Sequence, residues 1–207
     1  MNPLNGKDGS GSFFIVRHTD YTSTSWTSYK LKLPTSRGNI TVPQIAGSLR
    51  LTGRDSKVHV VDYDVGGTNV LYSTAEVFTW KKSDSSKILI VYGGFNETHE
   101  IAVKSSAQVE FIEGGQGVTS RTIDGHIVLN WETSASRTIA KLGDLRIHIL
   151  SKSTPYYLNN SVANETPQTA TRRISTGSLI LTRLMPQSSS AEATSSARAL
   201  SLAARCH

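Results

Sequence analysis

Residues 55–82, DSKVHVVDYDVGGTNVLYSTAEVFTWKK, decide the fold. Three short runs, 57–62, 70–72 and 77–81, are built from Val, Tyr, Thr, Phe and Trp, residues that fit a pleated, half-buried surface. Gly66-Gly67 lies between the first two and supplies positive φ at no steric cost, as a tight strand reversal requires. Apolar positions recurring at helical spacing are absent from the stretch, so it predicts successive antiparallel strands.

The same grammar extends outward in both directions. Upstream, 13–17 reads as a strand, and 28–33 alternates Tyr29, Leu31 and Leu33 against Ser28, Lys30 and Lys32. A period of two places the apolar set on one face. Residues 48–52 repeat the pattern with Leu49 and Leu51 inward and Arg50 outward. Downstream, strands are expected at 87–92, 99–103, 108–112, 118–123, 126–131, 137–141 and 144–150. Gly93-Gly94 is expected to supply positive φ after the run 88–92, and Asp124-Gly125 is a strong hairpin signal. The expected fold class is all-β: a multi-stranded antiparallel β-sandwich or stack of sheets, with a disordered or weakly helical C-terminal tail. Residues 1–12 are read as an N-terminal loop, 13–155 as the β domain, and 156–207 as a low-complexity tail ending QSSSAEATSSARALSLAARCH.

Charge separates the body from the tail. Of 22 Lys+Arg and 16 Asp+Glu, residues 170–207 hold five Arg and a single acid, Glu192. The body is therefore nearly neutral and lacks the basic stripe of a nucleic-acid binder. No apolar run reaches the roughly 18 residues needed to span a bilayer. The expectation is thus neither a nucleic-acid nor a membrane partner. Cys206 is the one cysteine, which rules out an intramolecular disulfide. The start, MNPLNGKDGSGSFF, lacks a signal-peptide pattern, so the localisation of the chain itself is left open.

Candidate chemistry is sparse. Glu76, Glu97, Glu100, Glu110, Glu113 and Glu132 are read as solvated strand-edge and loop residues rather than as a catalytic pair. Asp62 and Asp64 are read as turn chemistry before Gly66-Gly67 rather than as a start of a calcium site. His18, His59, His99, His126 and His148 show no metal-ligand spacing, and no metal or cofactor is expected. Gly114-Gly115-Gln116-Gly117 opens no helix and so has no phosphate-cradling context. Trp80 and Trp131 are read as core, whereas Trp26, in a Thr/Ser-rich loop, is the candidate for a sugar-stacking platform. Sequons at Asn39, Asn96, Asn159 and Asn164 are candidate N-glycosylation sites.

One family fits these residues. FFIVRHTDYTSTSWTSYKLKLPTSRGNITVPQ and GSLRLTGRDSKVHVVDYDVGGTNVLYSTAEVFTWKK resemble the second domain of the large fungal β-galactosidases in family 35 of the glycoside hydrolases. The resemblance continues through ILIVYGG and, more loosely, HIVLNWETSASRTI and GDLRIHIL. It implies a secreted parent that releases terminal β-galactose from galactosides with retention, using two glutamates of a catalytic (β/α)₈ barrel followed by several β domains. Nothing in this chain corresponds to that barrel, so no catalytic residue is carried over. The implied role is a scaffolding domain, inactive alone, whose partners are the barrel and the later β domains of the same chain. The alternative is a free-standing carbohydrate-binding module. Beyond about Leu150 the sequence departs from the family, and the tail is expected to be the product of a retained intron or frameshift in a truncated gene.

Overall fold

A computed structural model describes residues 4–6, 9–20 and 22–152. They form sixteen strands and no α-helix. Seven make one antiparallel sheet in the order β1-β2-β7-β8-β11-β14-β13: β1 Leu4–Asn5, β2 Ser12–Arg17, β7 Ser56–Val65, β8 Thr68–Ser73, β11 Thr98–Lys104, β14 His126–Glu132 and β13 Thr119–Ile123. Five make a second sheet, β12-β15-β16-β10-β9: β12 Val109–Glu113, β15 Thr138–Leu142, β16 Leu145–Ser151, β10 Lys87–Gly93 and β9 Glu76–Lys82. The remaining four form two small pairs, β3 (Trp26–Tyr29) with β6 (Leu49–Thr52), and β4 (Leu31–Thr35) with β5 (Gly38–Val42).

The layers follow from which faces are apolar. Ile101 and Val103 of β11 and Ile127, Leu129 and Trp131 of β14 meet Leu89 and Val91 of β10 and Leu145, Ile147 and Ile149 of β16 in the core between the two sheets. The opposite face of the large sheet carries Phe14, Val61, Leu71, Ala102 and Val128, covered by Leu31, Leu33, Val42 and Leu49 of the paired strands. The central strands of the large sheet are thus buried on both sides, which is why they read as unbroken apolar runs rather than as alternation. Each fully buried Leu or Ile here contributes about 1.5–3 kcal/mol relative to exposure.

The sequence-based reading is right in class and at two of its turns, and needs revision in detail. Gly66 and Gly67 do take positive φ, 60° and 92°, and Asp124 and Gly125 turn β13 into β14 with φ of 48° and 75°. The run expected as one strand at 28–33 breaks at Lys30: Tyr29 pairs with Leu49 while Leu31 pairs with Val42, in different sheets. Alternation continues across the break, so the pattern cannot reveal it. β1 lies inside the segment read as a loop and pairs with β2. Pairing is antiparallel except for β10 with β16, which run parallel from Lys87↔Leu145 to Gly93↔Ser151. Trp131 is buried as expected, but Trp80, on the edge strand β9, is 36% exposed. The expected tail and Ser153 onward lie outside the described residues.

Candidate functional site

Three glutamates expected at the surface are buried: Glu76 is 8% exposed, Glu97 5% and Glu100 0%. They organise the polar interior of the domain. Lys57 is the second residue of β7 and 2% exposed, and the turn after β10 brings Glu97 to it. The Lys57 ammonium donates to both carboxylate oxygens at 2.7 and 2.8 Å, and the Gly94 amide donates to Oε2 at 2.8 Å. His99 Nε2 lies 3.3 Å from the same oxygen, and Asp55 reaches Lys57 at 3.6 Å. Burial alone pushes the Glu97 carboxyl up, but His99, Lys57 and the Gly94 amide outweigh it and hold it down at about 2.

Two residues further along β7 sits His59. Its Nδ1 is 2.9 Å from the Thr74 carbonyl, which can only accept, so Nδ1 carries the proton. Nε2 of the neutral ring then accepts the Tyr29 hydroxyl at 3.0 Å. Burial lowers the pKa of His59 from its usual 6.5 to about 4, and burial likewise lowers His148, on β16, to about 4, with Arg137 and Arg146 adding to the effect. Because the unfolded chain binds these protons near pH 6.5 and the folded chain only near 4, their stabilisation is complete above about pH 6.5. It is lost as pH falls from about 6.5 to about 4. Glu97 adds a second loss between its usual 4.5 and about 2. Urea midpoints measured from pH 7.5 to 4.5 are expected to fall steadily below pH 6.5. A midpoint independent of pH over that range contradicts the neutral assignment of the two histidines.

The second cluster centres on Glu100, the β11 residue opposite Asn130 of β14. Its carboxylate accepts the backbone N–H groups of Gln44 (2.6 Å) and Ile45 (2.9 Å), the Tyr72 hydroxyl (2.7 Å) and the Asn130 amide (3.1 Å). Gln44 Nε2 donates in turn to the Tyr72 oxygen at 2.7 Å. The segment after β5 is thereby fastened to the middle of the large sheet.

Gly93-Gly94 has a different role from the one expected. Neither φ lies in the left-handed region; the requirement is space. A Cβ on Gly93 meets the His99 ring, and one on Gly94 comes within 2.5 Å of the Glu97 carboxylate. Gly94→Ala is expected to cost about 1–3 kcal/mol by overpacking, read as a lowered thermal midpoint. An unchanged midpoint means the Glu97 side chain moves aside freely.

The other sequence candidates are dispersed. Asp64 Oδ1 accepts the Gly67 amide at 2.9 Å, as turn chemistry requires, while Asp62 binds Ser36 N and Oγ at 2.7 and 2.6 Å and so anchors the β4–β5 turn. Trp26 is 60% exposed, with the Arg50 guanidinium 4.6 Å from its ring centroid. Asn39, on β5, and Asn96, in the turn before Glu97, are both exposed. Asn159 and Asn164 fall outside the described residues. Glu110 and Glu113 pair with Lys141 and Arg137 near the surface, and Glu132 is exposed. Glu76 lines a cleft with Phe13, Tyr63, Trp80 and Tyr92 and is bound by Lys152 at 2.8 Å. Among the described residues no group of three or more His, Cys, Asp or Glu is placed to hold a metal ion, and no helix is long and apolar enough to cross a membrane. The Lys57–Glu97 and Glu100 clusters were missed because their partners are dozens of residues away in sequence. The sole local signal was a Gly pair beside a Glu.

Comparison with known proteins gives this architecture its context. Residues 1–157 match the family described as "Beta-galactosidase, domain 2". Over 157 residues the chain is 54% identical to beta-galactosidase A of Aspergillus oryzae, 55% to a probable beta-galactosidase A of Neosartorya fischeri and 50% to beta-galactosidase A of Aspergillus niger. In each case 75% of this chain aligns with 16% of the relative, so the chain spans about a sixth of the length of those proteins. An all-β body with the matched stretch running from residue 1 through the last described strand leaves one assignment: the chain belongs to the β-galactosidase domain 2 family.

Proposed function

We propose that this chain is a non-catalytic structural domain of a β-galactosidase. In the parent it packs on a catalytic barrel and, with the β domains that follow, supports hydrolysis of terminal non-reducing β-D-galactose residues. The observation that carries this reading is the state of the buried glutamates. A retaining glycosidase needs two carboxyls about 5 Å apart across a sugar-sized cleft, one of them with a raised pKa. Glu97 is held down at about 2 by its partners, and Glu100 accepts from four donors. Neither lines the cleft beside β9; Glu76 does, but as the one carboxylate of that lining, where two are needed. Both carboxylates are engaged in holding strands and turns together.

The test is hydrolysis of a chromogenic β-galactoside by the purified 207-residue chain, beside beta-galactosidase A of Aspergillus oryzae in which residues 1–157 of this chain replace the matched stretch. Activity in the chimera alone supports the reading; activity in the short chain sinks it. A carbohydrate-binding module is the second reading, favoured by the exposure of Trp26, although Arg50 already occupies one face of that ring. Quenching of Trp fluorescence by millimolar galactosides, abolished by Trp26→Ala, would establish it. We also propose that the parent is secreted and carries N-glycans at the exposed Asn39 and Asn96. A mass unchanged by peptide N-glycosidase in secreted material removes that proposal.

A further inference from the structure

The five-stranded sheet is apolar on both faces where it should be apolar on one. On β10, Leu89 and Val91 enter the core between the sheets, and Ile88, Ile90 and Tyr92 point the other way. Together with Phe78 of β9 and Leu150 of β16 they form a separate apolar cluster on the outer face. Phe78 and Tyr92 meet edge to face with ring centroids 6.4 Å apart, and these two and Ile88 remain partly exposed.

The large sheet supplies the comparison. Its strands β11 and β14 are also apolar on both faces, and there the second face is covered by the β3–β6 and β4–β5 pairs. No described strand covers the outer face of β10 and β16. The two-faced apolar pattern of β10 therefore specifies a cover.

The path of the chain indicates what the cover is. β16 ends at Ser151, and Lys152 sits on the rim of this patch, its ammonium 5.5 Å from the Tyr92 ring centroid and 2.8 Å from Glu76. The family match runs to residue 157, and the relatives are about six times longer than the matched stretch. In such a protein the polypeptide that follows is released at the edge of the patch. It is held there at high effective concentration by its covalent link.

We propose that the outer face around the partly exposed Phe78, Ile88 and Tyr92, which lie over the buried Ile90 and Leu150, is the seat of the polypeptide that immediately follows this domain in the full-length β-galactosidases, an inference that rests on the domain reading above. The occupant presents apolar side chains to the Phe78–Tyr92 pair and closes a third layer over β10 and β16.

The Aspergillus oryzae chimera tests the seat directly, with benzoylphenylalanine placed at Phe78 and, separately, at Trp26. Irradiation is expected to join position 78 to peptides that follow the replaced stretch. Cross-links from 78 only to peptides that precede it, or none, overturn the proposal. Position 26 serves as the control face and is expected to give no cross-link to the same peptides. A second measurement uses the 207-residue chain: binding of anilinonaphthalene sulfonate is expected to fall at least twofold on Ile88→Asp, with the far-UV spectrum retained. Unchanged dye binding overturns the claim that the patch is open to a partner. A chimera that cross-links as expected but hydrolyses no galactoside leaves the seat standing and removes the functional reading; an active chimera without the cross-link does the reverse.

Discussion

Lys57→Met is expected to lower the stability of the domain by about 3–5 kcal/mol, the usual cost of breaking a buried ion pair by removing one partner. The reason is the position of Glu97. Glu97 is 5% exposed, and its carboxylate receives two hydrogen bonds from Lys57, against one from the Gly94 amide and the approach of His99 Nε2 at 3.3 Å. Without the ammonium the charge remains inside with too few donors, and its pKa must rise. A urea titration of the 207-residue chain at pH 7 reads the effect as a midpoint lower by more than about 1 M, given slopes of about 1–3 kcal/mol/M. The double variant Lys57→Met with Glu97→Gln removes both charges and is expected to recover much of the loss, since the pair as a whole contributes less than either half abandoned alone. A single-variant loss under about 1 kcal/mol means water reaches Glu97 and the pair behaves as a surface one.

Glu100→Leu is expected to be of similar size and to act at a distance from the first. Leu matches the apolar surroundings but accepts nothing, so the amides of Gln44 and Ile45, the Tyr72 hydroxyl and the Asn130 amide lose their common acceptor. Each buried donor left unsatisfied costs about 1–3 kcal/mol. Partial escape to water at the segment after β5 brings the expected total to about 3–5 kcal/mol. Hydrogen exchange gives the more specific reading: the Gln44 and Ile45 amides should exchange at least about 100-fold faster, as a loss of about 2.8 kcal/mol requires. Exchange at those two amides that rises no more than at Leu129, in the core between the sheets, shows that Glu100 does not fasten this segment locally. Glu100→Gln is expected to be milder, because one oxygen still accepts while the new NH₂ group faces donors.

Both predictions concern residues that the sequence labels as ordinary surface charges. A Glu in a strand-rich stretch is usually solvated, and nothing near Glu97 or Glu100 in the chain announces a partner. Lys57 and Glu97 are 40 residues apart, and Gln44 and Glu100 are 56 apart. Burial of these charges is decided by pairing between β7, β8, β11 and β14, which brings donors from separate elements around each carboxylate. Gly93-Gly94 stands out in the sequence, but its role there is spatial rather than conformational for the same reason. The obstacle that demands a missing Cβ is the side chains of His99 and Glu97, placed there by the tertiary fold.

Local sequence is enough for the all-β class, most of the strand positions and the hairpin turns at Gly66-Gly67 and Asp124-Gly125. These depend on local properties: β-branched and aromatic content, a period of two, and the φ that a glycine or aspartate tolerates. It also carried the family resemblance, and the family match over residues 1–157 bears that out. Tertiary structure alone decided the partners. It split 28–33 between two sheets at Lys30, set β10 parallel to β16, and closed Lys57 and Glu97 into one buried cluster. Periodicity tells a strand which face is apolar but not which strand lies beside it or what covers that face; those choices are made by contacts between residues far apart in the chain.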